Sequence, residues 1–152
     1  MIERRKVTAA VITAIESEGK PVGNSQTPPN GGWRGAPNAD GSNFRPYVVV
    51  TPNPSTAPRN TYEGPMSDWQ ADWQLSYTIT SFAVDTNQVE WMADRARLTL
   101  HPLVHTELTS GEEVYNVQQV RVDALGGLVR VDATEPPYWA QSDQITIWLS
   151  KE

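Results

Sequence analysis

The stretch Asp68 to Val84, DWQADWQLSYTITSFAV, constrains the fold most. Trp69, Trp73, Leu75, Tyr77 and Ile79 fall on odd positions, while Asp68, Gln70, Asp72, Gln74, Ser76, Thr78 and Thr80 hold the even ones. Successive strand side chains point to opposite faces, so this period of two predicts a strand in a sheet with one buried face. Roughly 16 residues at ~3.3 Å each would reach about 50 Å, well beyond the common strand length, so part of the strand should project past the body.

A chain of 152 residues suits a single domain, 1–152, that buries a core without help. It has no cysteine, which excludes a disulfide framework, a thiolate metal site and a cysteine nucleophile. Neither a secretory leader nor a membrane span is legible, and use in a cytosol is expected. Five basic and four acidic side chains give residues 1–43 a charge of +1, and seven basic and fourteen acidic give residues 44–152 a charge of −7. Wrapping nucleic acid needs a basic surface that releases counterions, so ordinary DNA or RNA binding is disfavoured. An acidic wall beside DNA that must slide remains compatible with this balance.

Residues 3–17 read as an amphipathic helix with Val7, Ala10, Val11, Ala14 and Ile15 on one stripe and Arg5, Thr8 and Thr13 off it. The run Arg4-Arg5-Lys6 lies in its first turn, as a solvated surface or a contact with an acidic neighbour. Residues 19–43 hold ten Gly or Pro among 25, a composition that predicts a long flexible loop. Phe44–Thr51 is then a short strand, and a second loop covers 52–65. Asp85 with Gln88 resembles a capping box, and Val89, Met92, Ala93, Ala96, Leu100 and Leu103 continue as one helical face. Trp91 and Leu98 lie on the opposite side of that helix, where two large apolar groups imply a second neighbour. The end of the chain reads as strands: Glu113–Asp123, a turn through Gly126-Gly127, Leu128–Asp132, and Gln144–Leu149 with Ile145, Ile147 and Leu149 sharing a face. The expected fold class is α+β, a mainly antiparallel sheet with two helices packed on one face and long loops.

Chemistry is sparse. His101 and His105, four apart with Glu107 nearby, would aim two imidazoles at a metal only if a helix ran through Pro102, so no metal site is expected. Asp68 and Asp72 share a strand face, but nothing beside them supplies a base, a pocket or an oxyanion donor, and a solvated polar face is the expectation. The glycines of GGWRG and LGG lack the strand-to-helix setting of a phosphate or dinucleotide loop. No catalytic residue and no cofactor is expected, and the chain is not read as an enzyme.

Six tryptophans raise two readings. Trp33, Trp91 and Trp139 look free of the core, and free aromatic groups with polar rims serve either a carbohydrate-binding module or, by preference, a protein interface.

The segment PMSDWQADWQLSYTITSFAVDTNQVEWMADRARLTL, residues 65–100, resembles the tail terminator proteins of long-tailed, siphovirus-type bacteriophages, especially those infecting actinobacteria. A long strand ending in YTITSFAVD leads straight into a helix like NQVEWMADRARLTL. RRKVTAAVITAI and RPYVVVTPNP are similar to that family's opening helix and first strand. The resemblance implies a hexameric ring in the virion, at the neck of the tail. Such a ring caps the tail tube, stops its polymerisation and offers the surface that joins the head, with DNA passing through the lumen unbound. The implied partners are further copies of the chain, the tail tube protein and a head-to-tail connector or stopper, with no membrane. Another connector of the neck is the near alternative. The 19–43 segment is longer and richer in Gly and Pro than the family leads one to expect; Trp33 and Arg34 within it, with Trp91 and Leu98, are the expected subunit or ring interface.

Overall fold

The computed structural model describes residues 4–17, 19–53, 73–103, 107–110 and 113–151. Helix α1 spans Arg4–Glu16, followed by strands β1 (Val22–Asn24), β2 (Gly32–Trp33), β3 (Phe44–Arg45), β4 (Tyr47–Pro52) and β5 (Trp73–Ala83). Helix α2 covers Thr86–Leu100 and tightens into a 3-10 turn at His101–Leu103, before β6 (Glu107–Ser110), β7 (Glu113–Val131) and β8 (Tyr138–Lys151). Six strands form one sheet in the order β1-β4-β5-β8-β7-β6, and β2 and β3 form a separate ribbon. Every pairing is antiparallel except β1 with β4. This is the expected α+β fold.

Alternation sets the faces. Leu75, Tyr77 and Ile79 of β5 and Ile145, Ile147 and Leu149 of β8 are buried together with Val7, Val11 and Ile15 of α1 and Met92, Ala96 and Leu100 of α2. Burying a Leu, Ile or Met side chain contributes about 2 kcal/mol, so this layer between sheet and helices is the main source of stability. Asp85 caps α2 by accepting a hydrogen bond from the Asn87 amide at 3.2 Å. Thr8, read as lying off the α1 stripe, is in fact buried, because its hydroxyl meets the Tyr77 phenol at 3.1 Å and gains a partner inside the core. Arg4 donates to the Asn53 carbonyl, so part of the basic first turn anchors the helix.

One expectation about the strands changes, and another reaches past the described residues. β5 is described from Trp73 on, for 11 residues, and Asp68, Trp69 and Asp72 lie outside the described residues. The longest strand among the described residues is β7, with 19 residues. Gly126-Gly127 makes no turn: the chain runs straight through, and the register against β8 shifts by one residue between Leu125 and Leu128. A bulge at this point brings Gly126 so close to β8 that a Cβ would lie 2.0 Å from the Ser142 carbonyl oxygen, which only glycine avoids.

The 19–43 segment, expected to be without structure, carries β1 and β2. β1 adds to the sheet beside β4 with Val22 opposite Val48. β2 pairs with β3, and the pair covers the sheet face turned away from the helices. There Trp33 meets Phe44 edge to face at 5.2 Å, Phe44 stacks on Tyr138 at 5.2 Å, and Tyr47 stacks on Phe82 at 4.7 Å. Gly31 permits this approach, since a Cβ there would fall 2.7 Å from the Tyr47 side chain. A polar turn is closed by Asn38, which donates to Asp40 at 2.5 Å and Ser42 at 2.6 Å. The segment lacks a core of its own and is held by aromatic rings that the sheet supplies.

Candidate assembly surface

The outer side of α2 is built by helix geometry. Seven residues at about 100° each return to within roughly 20° of the start, so Trp91 and Leu98 lie on one line with Arg95 between them. Trp91 is 44% and Leu98 62% exposed. The Arg95 guanidinium sits 5.4 Å from the Trp91 ring, a cation–π contact that holds the indole flat on the surface without covering it. Beside Trp91 an open recess of about 320 Å³ is lined by Lys20, Asp85, Asn87 and Gln88. It is open and mixed in polarity, a rim for a protein contact more than a pocket for a small molecule.

Trp33 and Arg34 lie elsewhere. Phe82 opposes Tyr47 on the face away from the helices, and Trp33 belongs to the aromatic group there, so the sheet separates it from Trp91. The Trp33 indole donates to the Thr134 hydroxyl at 3.0 Å and is half-buried, which ties it to its own chain. Arg34 is exposed, with its amide bonded to the Asn43 carbonyl at 2.7 Å. The four residues thus make two separate surfaces.

α2 ends at Leu100, and His101 opens the 3-10 turn with its side chain exposed; His105 lies outside the described residues. Among the described residues no three His, Asp or Glu side chains converge to hold a metal ion. No helix there is long and apolar enough to cross a membrane.

Sequence reading missed one cluster beside this surface. Asp143, 2% exposed, accepts from Arg97 of α2 at 2.6 Å, from the bulge amide of Gly126 at 3.1 Å and from Gln141 at 3.3 Å. Arg97 also pairs with Asp94. This clamp fixes the C-terminal end of α2 against β7 and β8. Its signal was present, since extending the Ile145, Ile147, Leu149 stripe back by two places an aspartate on the buried face, and a buried carboxylate demands a cationic partner.

No protein-family model matches the chain, and no curated protein matches it. Solved structures do match. One, of a protein whose name states no activity, aligns over 100% of this chain and 97% of its own, with a TM-score of 0.50 and 13% identity. At that identity the likeness shows the α+β fold and nothing further.

Proposed function

We propose that this chain is a phage tail terminator, which forms a ring on the end of the tail tube and joins it to the head. The observation that carries the reading is the outer side of α2, where Trp91 and Leu98 stay open to solvent on a helix whose other side is core. Exposed large apolar groups rimmed by charge are the ordinary mark of a protein contact. The resemblance of residues 65–100 names the kind of assembly. The net charge of −6 fits a wall past which DNA slides unbound.

A tube adds subunits to an end that looks the same after every addition. Growth stops when a different protein occupies that end and presents a face that the next tube ring cannot use. This role needs rings and contacts but no catalytic group. Phage lacking the protein should therefore make overlong tails without attached heads, and purified protein should cap tubes and restore joining. Tails of normal length in its absence would transfer the protein to another position in the neck.

A further inference from the structure

The edge of β7 is a second feature, separate from the outer side of α2. Beyond Asn116 this strand pairs with β8 alone among the described residues, because β6 reaches only Glu113–Asn116. Among the described residues its outer edge from Val120 to Val131 is a row of open backbone donors and acceptors, interrupted by the register shifts at Val122/Ala124 and Leu125/Leu128; natural sheets usually cover, shorten or block such an edge. Leu125 and Val129 on this stretch are 63% and 60% exposed. Gly127 is unexplained by its own subunit: a Cβ there would meet nothing within 4 Å, and its φ is not in the left-handed region. Glycine weakens a strand and is otherwise placed where another backbone comes close.

The sequence of the edge says what fits it. Residues 121–132, RVDALGGLVRVD, read the same from both ends in apolar character and opposite in charge: Leu125 answers Leu128, Ala124 answers Val129, Asp123 answers Arg130, and Arg121 answers Asp132. In a hairpin these halves would meet within one chain. Here the bulge opens them into one strand, and their match is left unused.

We propose that this edge pairs antiparallel with the same edge of a second copy, about a two-fold axis at Gly126-Gly127. A two-fold axis normal to a sheet keeps each side chain on its face, so paired residues must already share one. The bulge provides this: Leu125 and Leu128 oppose Asp143 and Gln141 on one face of β8, while Ala124 and Val129 oppose Gln144 and Ala140 on the other. Leu125 then meets Leu128 of the partner subunit, and Ala124 meets Val129 of the partner subunit. A further register shift between Val122 and Ala124 ends the match beyond this stretch: Arg121 and Asp123 lie on the Ala124 face, beside Trp148 and Thr146, while Arg130 lies on the Leu128 face, so the ion pairs Arg121–Asp123 and Arg130–Asp132 stay within each chain.

This edge contact is independent of the ring, since a two-fold contact is distinct from the head-to-tail contact that closes a ring. A cysteine scan suits it, because the chain has no cysteine of its own. Gly127→Cys should give a disulfide-linked dimer under mild oxidation, and Thr13→Cys, on the exposed side of α1, should not. Leu125→Lys with Val129→Lys should weaken the dimer seen by sedimentation at least roughly tenfold, with an unchanged circular dichroism spectrum. Wild type that stays monomeric, with the thiol of the Gly127→Cys variant left reduced, would overturn the pairing. So would a variant whose new thiol cross-links only to a foreign protein. Closed rings in which that thiol stays reduced would overturn the pairing and leave the ring intact.

Discussion

At the scale of single residues, two buried polar groups carry more of the architecture than their number implies. Asp143 joins α2, the β7 bulge and β8 through Arg97 and the Gly126 amide. Asp143→Ala leaves the Gly126 amide without its acceptor and Arg97 with Asp94 alone, so it should cost about 2 kcal/mol of unfolding free energy in denaturant titration. Tyr77 is fully buried, and burial raises its phenol above the ordinary value of 10.0. Tyr47 is raised for the same reason. The unfolded chain therefore ionises first as pH passes 10.0, and the stability from these phenols, complete below that pH, falls as pH rises toward their folded values. Tyr77→Phe should cost about 1 kcal/mol at neutral pH through the lost Thr8 contact and should flatten the alkaline decline.

At the scale of elements, the covering ribbon and α2 behave differently. Trp33 ties the ribbon to the connection between β7 and β8 by one indole hydrogen bond to Thr134, and packs edge to face on Phe44 within the ribbon. Trp33→Ala, at a half-buried site, should cost about 2 kcal/mol and make the 25–43 segment the first target of limited proteolysis. Amides of β5 and β8 should keep their hydrogen-exchange protection in that variant. On α2, Trp91→Ala with Leu98→Ala removes groups that face solvent, so circular dichroism and melting should change little. If the proposed ring uses this side, electron micrographs should show fewer closed rings of the variant. Unaltered assembly would remove α2 from the interface.

At the scale of the whole molecule, the sheet separates two exteriors. Its helix side ends in the exposed line of Trp91 and Leu98, its other side carries the aromatic cover, and among the described residues the β7 edge beyond β6 has no partner strand. The heterologous contact proposed for the first and the isologous contact proposed for the edge use different residues and symmetries, so mutation should remove them separately. The acidic body has a further consequence. With a net charge of −6, the protein should leave the electrophoretic mobility of duplex DNA unchanged even at about 50 mM salt. Retarded DNA would contradict the proposed lumen, past which the genome slides.

What the sequence alone determined is what short-range periodicity encodes. The two-residue alternation of β5 and the helical stripes of α1 and α2 follow from backbone geometry. They were legible down to Leu75, Tyr77, Val89 and Met92 on the inside and Trp91 and Leu98 on the outside. The tertiary structure decided what depends on distant partners. Gly126-Gly127 is locally as good a turn as a bulge, and β8 made it a bulge by continuing the ladder past it. The 19–43 segment is too poor in apolar residues to fold by itself, yet it is ordered by Phe44, Tyr47, Phe82 and Tyr138, which lie outside it in sequence. Asp143 and Arg97 stand 46 positions apart, and only packing α2 on β8 turns two surface-type residues into a buried clamp. Local pattern chooses which face a side chain takes, and long-range packing chooses what that face meets.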